Sequence, residues 1–289
     1  MRELWNLVVS GDGTVVAGVD EAHVVHVVPL ANRTPPTEFK VVWDAGGDRL
    51  ALSEDARWAA SAQYSGEGVG IYDVSRARPV WRRRDVRKAQ SVQFLRERLL
   101  VIREEGGGLW LDVAGGATLA ELPGVRDAHA SIDGRFLLIA KRTEHPYELI
   151  DNDGRPIRKL ERSTFAILAA AFTERLVVVS ESGGPVSCWA LDSGSPLWRH
   201  QPEPGHHMLA LGVRASNHEV VGVDWPYERG GTKTLVALLC ATGEVVRMTP
   251  LPEHLEAVFA LDGERIVLST GSVVQTSDGL VIDELGVWR

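Results

Sequence analysis

The chain has 289 residues, 44% of them hydrophobic, and a formal net charge of −8, which supplies a large core but the wrong overall sign for a dedicated phosphate binder. Its two cysteines, Cys188 and Cys240, make neither a disulfide framework nor a metal cluster. No apolar run reaches the roughly 18 residues of a membrane span, and the opening MRELWNLVVSGDG lacks the apolar core and cleavage site of a signal peptide, so a cytoplasmic protein off the membrane is expected.

In chain order the sequence divides into seven units, approximately 1–40, 41–84, 85–123, 124–161, 162–201, 202–250 and 251–289. The first opens with Leu4–Ser10, expected as an innermost strand, and turns at Ser10-Gly11-Asp12-Gly13. Such a turn suits its residues, because Asp bonds nearby backbone and Gly tolerates positive φ. Asn32-Arg33-Thr34 matches a glycosylation acceptor but is incidental without secretion. The second unit repeats the turn at Ser53-Glu54-Asp55-Ala56 and closes its third strand on Tyr72-Asp73. The basic run Arg82-Arg83-Arg84, with Arg87 and Lys88, follows. Alternation puts part of that run on an edge strand, where charge deters unwanted pairing; nucleic-acid binding is the competing reading, and a local acidic partner patch a third.

The third unit has a degenerate turn at Arg96-Glu97-Arg98 and ends its third strand at Leu111-Asp112. Its Gly106-Gly107-Gly108, like Gly66-Glu67-Gly68-Val69-Gly70, is followed by a strand and not by the helix N-terminus that a phosphate cradle needs, so turn glycines are expected. The fourth unit carries Ser131-Ile132-Asp133-Gly134 and Ile150-Asp151, the fifth Thr173-Glu174-Arg175 and Leu191-Asp192. The sixth has Ser216-Asn217-His218 and Leu239-Cys240, and the seventh Leu261-Asp262-Gly263-Glu264 and Thr276-Ser277. Leu280–Trp288 is expected as the outer strand of the last unit, so that every unit is contiguous and no strand is swapped at the seam.

Two columns therefore recur in phase. Asp73, Asp112, Asp151 and Asp192 are 39, 39 and 41 residues apart. Between the columns lie short runs rich in Val, Ile, Leu and Trp, bounded by Gly, Asp, Ser and Pro. RLLVI (98–102), RLVVV (175–179) and TLVALL (234–239) are apolar throughout, as strands buried on both faces are. This pattern predicts an all-β fold: a seven-bladed β-propeller with four antiparallel strands per blade, in one domain. The text LALSEDARWAASAQYSGEGVGIYDVSRARPVWRR resembles a WD repeat, with Tyr72-Asp73 where that family has Trp-Asp. The Gly-His pair that opens such repeats is missing except at Gly205-His206. ALDSGSPLWRH (190–200) and SRARPVWRRR (75–84) resemble quinoprotein-type propeller repeats instead.

No constellation predicts catalysis. Ser180-Glu181-Ser182-Gly183-Gly184-Pro185-Val186 echoes the nucleophile segment of trypsin-like proteases, but no histidine-base segment lies upstream, and a turn between strands is expected there. His206-His207, with His200 and Glu203 nearby, hints at a metal, yet adjacent strand residues point to opposite faces. No cofactor, metal site or catalytic residue is expected. Trp81 and Trp198 occupy matching outer-strand positions and Trp110 and Trp189 third strands, which argues for packing between blades. Trp225 differs: with Pro226, Tyr227, Glu228 and Arg229 it is placed in the longest insertion, where a binding hot spot and a structural plug are equal readings.

The function expected is a non-catalytic protein-interaction platform whose partner is another protein or a peptide, with no nucleic acid, no membrane and no small-molecule ligand. The WD-repeat resemblance implies that loops between second and third strands share a face with the joints between blades. That candidate face carries Arg87, Lys88, Arg103, Glu104, Lys141, Arg142, His145, His206, Trp225, Tyr227 and Arg229. The alternative is a propeller enzyme of quinoprotein or lactonase type. It would need metal-binding carboxylates at innermost strand starts, where this chain has Ala89-Gln90, Ala128-His129 and Phe165-Ala166. Only Lys40, Lys88, Lys141, Lys159 and Lys233 are lysines among 31 basic residues, a bias of GC-rich bacterial genes. A subunit of a bacterial multi-protein system, of a defence or toxin-related kind, is the setting expected by analogy of fold.

Overall fold

A computed structural model describes residues 5–10, 13–20, 22–30, 37–40, 49–63, 67–131, 133–142, 146–161, 166–214, 218–228, 231–251, 258–260, 263–268 and 272–284. Every regular element among them is a β-strand. The first sheet holds β1 (Trp5–Val9), β2 (Val15–Val19), β3 (Val24–Pro29) and β4 (Thr37–Lys40). The second holds β5 (Arg49–Leu52), β6 (Trp58–Ala62), β7 (Glu67–Asp73) and β8 (Arg78–Arg87). The third comprises β9 (Ala89–Leu95), β10 (Arg98–Arg103), β11 (Gly108–Asp112) and β12 (Thr118–Leu122). β13 (Val125–Ala130), β14 (Phe136–Lys141), β15 (Tyr147–Asp151) and β16 (Pro156–Leu160) form the fourth.

The fifth contains β17 (Ile167–Phe172), β18 (Leu176–Glu181), β19 (Val186–Ala190) and β20 (Pro196–His200). In the sixth are β21 (His206–Arg214), β22 (Glu219–Pro226), β23 (Thr234–Leu239) and β24 (Val245–Pro250). β25 (Val258–Ala260), β26 (Arg265–Leu268), β27 (Ser272–Gln275) and β28 (Val281–Glu284) complete the seventh. Each sheet is hydrogen-bonded in chain order. Thus β1 pairs with β2, Val8 facing Ala17, and β28 with β27, so the first and last sheets each come from one stretch. Residues 285–288 of the expected last strand lie outside the described residues.

The described residues divide into two compact units, the first within 5–142 and 151–155, the second within 146–150 and 156–284. Within each, burial follows the apolar runs. Leu99, Leu100, Val101 and Ile102 of β10 are buried, as are Val177, Val178 and Val179 of β18 and Leu235 through Leu238 of β23. Outer strands are exposed instead, β12, β16 and β24 along most of their length.

The turns between first and second strands are built as their residues dictate. Ser53 Oγ donates to Asp55 Oδ1 (2.7 Å), and Arg57 N to the same carboxylate; Ser131 and Asp133 repeat the bond at 2.7 Å. The serine hydroxyls accept from the backbone N–H of Trp58, Phe136 and, for Ser10, Val15. The other Asp column works at the turn into the fourth strand: Asp73 accepts from Ser75 and Arg76 N, and Asp112 from Gly115 N. Trp81 and Trp198 each donate an indole N–H, 2.7 Å long, to the carbonyl just past the third strand of the following sheet, Val113 and Cys240. Both thiols are buried and free; burial, with Cys240 adding to it, pushes Cys188 up to about 12.

Candidate functional site

In the first unit the connection from β10 to β11 is gathered against two joints between sheets. Glu104 N donates to Lys88 O (2.9 Å), in the step from β8 to β9, and Gly107 N to Val125 O (2.7 Å), at the start of β13. Arg142, past β14, donates its N–H to Gly124 O (3.0 Å) and its guanidinium to Glu104 O. The backbone thus brings Lys88, Arg103, Glu104 and Arg142 together. Lys88 Nζ pairs with Glu104 Oε2 at 3.2 Å. Arg87 ends β8 opposite Glu67, and Lys141 ends β14 opposite Val125. His145 falls outside the described residues.

A second cluster lies in the other unit, at the joint from β20 to β21 and the β22–β23 connection. Pairing sets His206 opposite Pro226 and His207 opposite Trp225. His206 Nδ1 lies 2.8 Å from Asp224 Oδ2, while the His207 ring meets Tyr227 edge-on at 4.7 Å. The two histidines therefore engage different partners, as strand alternation requires. Burial holds the His207 imidazole below its ordinary value, with His206 adding to that and Asp224 opposing it; burial lowers His200 likewise. Tyr227 N donates to Gly205 O at 2.8 Å, which fixes the turn, and its side chain is 53% exposed.

Trp225 is not a loop residue. It belongs to β22, packs partly buried against Val221, Val223, Leu235 and their neighbours, and has Lys233 Nζ 4.1 Å from its ring centroid. Strand β22 runs on through the expected insertion because β21 is long enough to pair with it as far as Pro226. Arg229 lies outside the described residues. Asp224 was missed by the sequence reading; it is a buried carboxylate within an apolar strand, and its Oδ1 has no hydrogen-bond partner. An acid inside so apolar a run was the available signal.

The protease-like segment forms the end of β18 and the turn into β19, with the Ser180 hydroxyl bonded to Met208 O in the core. Among the described residues no group of three or more His, Cys, Asp or Glu side chains is placed to hold a metal ion.

No protein-family model matches the chain, and no curated protein matches it in sequence. Solved structures do resemble it. The β-propeller domain of Cps50 (Swd1) from Myceliophteria thermophila is 13% identical with a TM-score of 0.73, over 96% of this chain and 95% of that one. The RRP9 WD40 repeats are 14% identical with a TM-score of 0.68, over 93% and 87%. Dihydro-heme d1 dehydrogenase NirN is 16% identical with a TM-score of 0.69, over 97% of this chain and 66% of that one. The chain has a β-propeller fold, with four antiparallel strands per blade.

Proposed function

We propose that the chain is a non-catalytic platform on which another protein or a peptide docks, its seven sheets serving as blades and its inter-strand connections as the docking elements. One observation carries this reading. Both loop clusters hold recognition side chains on strand ends and turns fixed by strand pairing, Lys88, Arg103 and Arg142 in one and His206 and Tyr227 in the other, and among the described residues of neither is a nucleophile hydrogen-bonded to a base. Aromatic and arginine side chains on rigid supports suit protein recognition. Membership of a multi-protein assembly follows from such a role; the bacterial setting rests on arginine usage alone.

The test exploits the difference between Tyr227 and Trp225. Tyr227→Ala removes an exposed ring, so Tm shifts by about 2 °C or less, while capture of the partner from native cells by the tagged protein is lost. Trp225→Ala opens a hole beside β22 and costs about 3 kcal/mol of stability, so any loss of capture there is secondary to misfolding. Undiminished capture by Tyr227→Ala removes this surface from the proposal. A stoichiometric divalent ion found by elemental analysis would favour the enzyme alternative, a quinoprotein- or lactonase-type propeller, which the NirN likeness supports.

A further inference from the structure

Two arginine side chains lie against adjacent glycines of the β10–β11 connection. Gly106 and Gly107 both have positive φ, 85° and 124°. A Cβ on Gly106 would stand 3.2 Å from Nε of Arg142, and one on Gly107 would stand 3.4 Å from Nη2 of Arg103. Two cations thus rest against adjacent glycines of one loop. Arg142 has the Glu104 carbonyl as acceptor. The Nε of Arg103 is buried and has no hydrogen-bond partner. A desolvated guanidinium N–H without an acceptor is unfavourable, and a second guanidinium close by makes it more so. The neighbouring Glu104 carboxylate pairs with Lys88 at 3.2 Å.

We infer that this loop is an anion-recognition site and that its ligand is a carboxylate side chain of an acidic peptide. The inference rests on the platform reading and names the chemistry of the partner. A planar carboxylate accepts two parallel bonds from a guanidinium fork, which would satisfy Arg103 and offset its repulsion with Arg142 together. The chain's net charge of −8 repels a long polyanion such as nucleic acid. A short acidic segment instead feels the local field of Arg103 and Arg142.

The probe is a fluorescein-labelled hexaglutamate peptide, titrated with the full chain and followed by fluorescence anisotropy at low salt. Saturable binding that weakens as salt rises is expected. Arg103→Gln weakens it by about tenfold, and Arg103→Lys by less, because the charge stays while the fork is lost. Arg142→Gln alters an exposed side chain, so it weakens binding even if Arg103→Gln fails to fold. Equal binding of hexaglutamine, or unchanged affinity in both glutamine variants, overturns the site. Tighter Arg103-dependent binding of inorganic phosphate or of a single-stranded oligonucleotide overturns the carboxylate assignment. Capture through Tyr227 reads the other cluster. Its persistence without hexaglutamate binding sinks this inference alone, and its loss of support with hexaglutamate still bound sinks only the Tyr227 surface.

Discussion

Ser53 and Ser131 do the same work in two turns. Each hydroxyl accepts a backbone N–H from the second strand and donates to an Asp two residues on. Burial opposes ionisation of Asp133, but hydrogen bonds from Ser131 and from the backbone and side chain of Arg135 outweigh it and hold the carboxyl below 3.8. Asp20 is held low in the same sense by His26, Val24 and Ala22 against its burial. Carboxyls that titrate lower when folded stabilise the protein fully above the unfolded value and lose that contribution as pH falls through the folded one. The urea midpoint is therefore expected to drop as the pH is taken from 6 towards 3, and Asp133→Asn to flatten that drop; an unchanged slope in the variant would disprove the assignment. This Ser-x-Asp turn was legible in the sequence because all its partners lie within five residues. The buried contact of His26 with Asp20 was not, since a histidine in an apolar strand reads as ordinary core and its partner comes from the preceding turn.

At the scale of elements, the outer strands carry a device that joins neighbouring sheets. Trp81 of β8 lies on the turn after β11, where a Cβ on Gly116 would come within 2.8 Å of its ring. Trp198 of β20 lies likewise on the turn after β23, where a Cβ on Gly243 would come within 2.5 Å. Gly243 also has φ 74°. Gly243→Ala combines backbone strain with a clash against a ring held by its bond to Cys240 O, and is expected to cost about 2–4 kcal/mol, measured by equilibrium unfolding. A loss below about 0.5 kcal/mol would mean that the ring moves freely aside. The matched tryptophans could be read from their repeat positions. Their glycine partners could not, because each belongs to the following unit, and only pairing across sheets shows which turn a ring covers. The same limit misplaced Trp225: its strand is lengthened by β21, and no local signal announces a partner that long.

Across the molecule, apolar exposure is concentrated on outer strands. Val80, Leu119, Ile157 and Leu197 are each at least 40% exposed, and β24 shows Val245, Val246 and Met248 together. Strand β8 offsets this with Arg82, Arg83 and Arg84, charges that blunt an edge, whereas Arg247 is the one charged residue of β24. Met248→Lys is therefore expected to leave unfolding within about 0.5 kcal/mol of the parent while lowering light scattering on heating. Equal scattering would show that β24 is not the sticky edge. Fold class was legible at this scale because turn chemistry repeats in phase and needs no long-range information. The loop clusters were legible only as a roll of residues: that Arg103 Nε lacks an acceptor while Lys88 pairs with Glu104 depends on how backbones of three sheets meet.

The contiguity of each sheet has a consequence for how the protein comes into being. Since all four strands of a sheet are neighbours in sequence, a growing polypeptide can finish the hydrogen bonding of one meander before the next is synthesised. For the same reason, gain or deletion of one whole repeat over evolutionary time would leave the ladders of the others intact, so copy number is free to drift while the architecture persists.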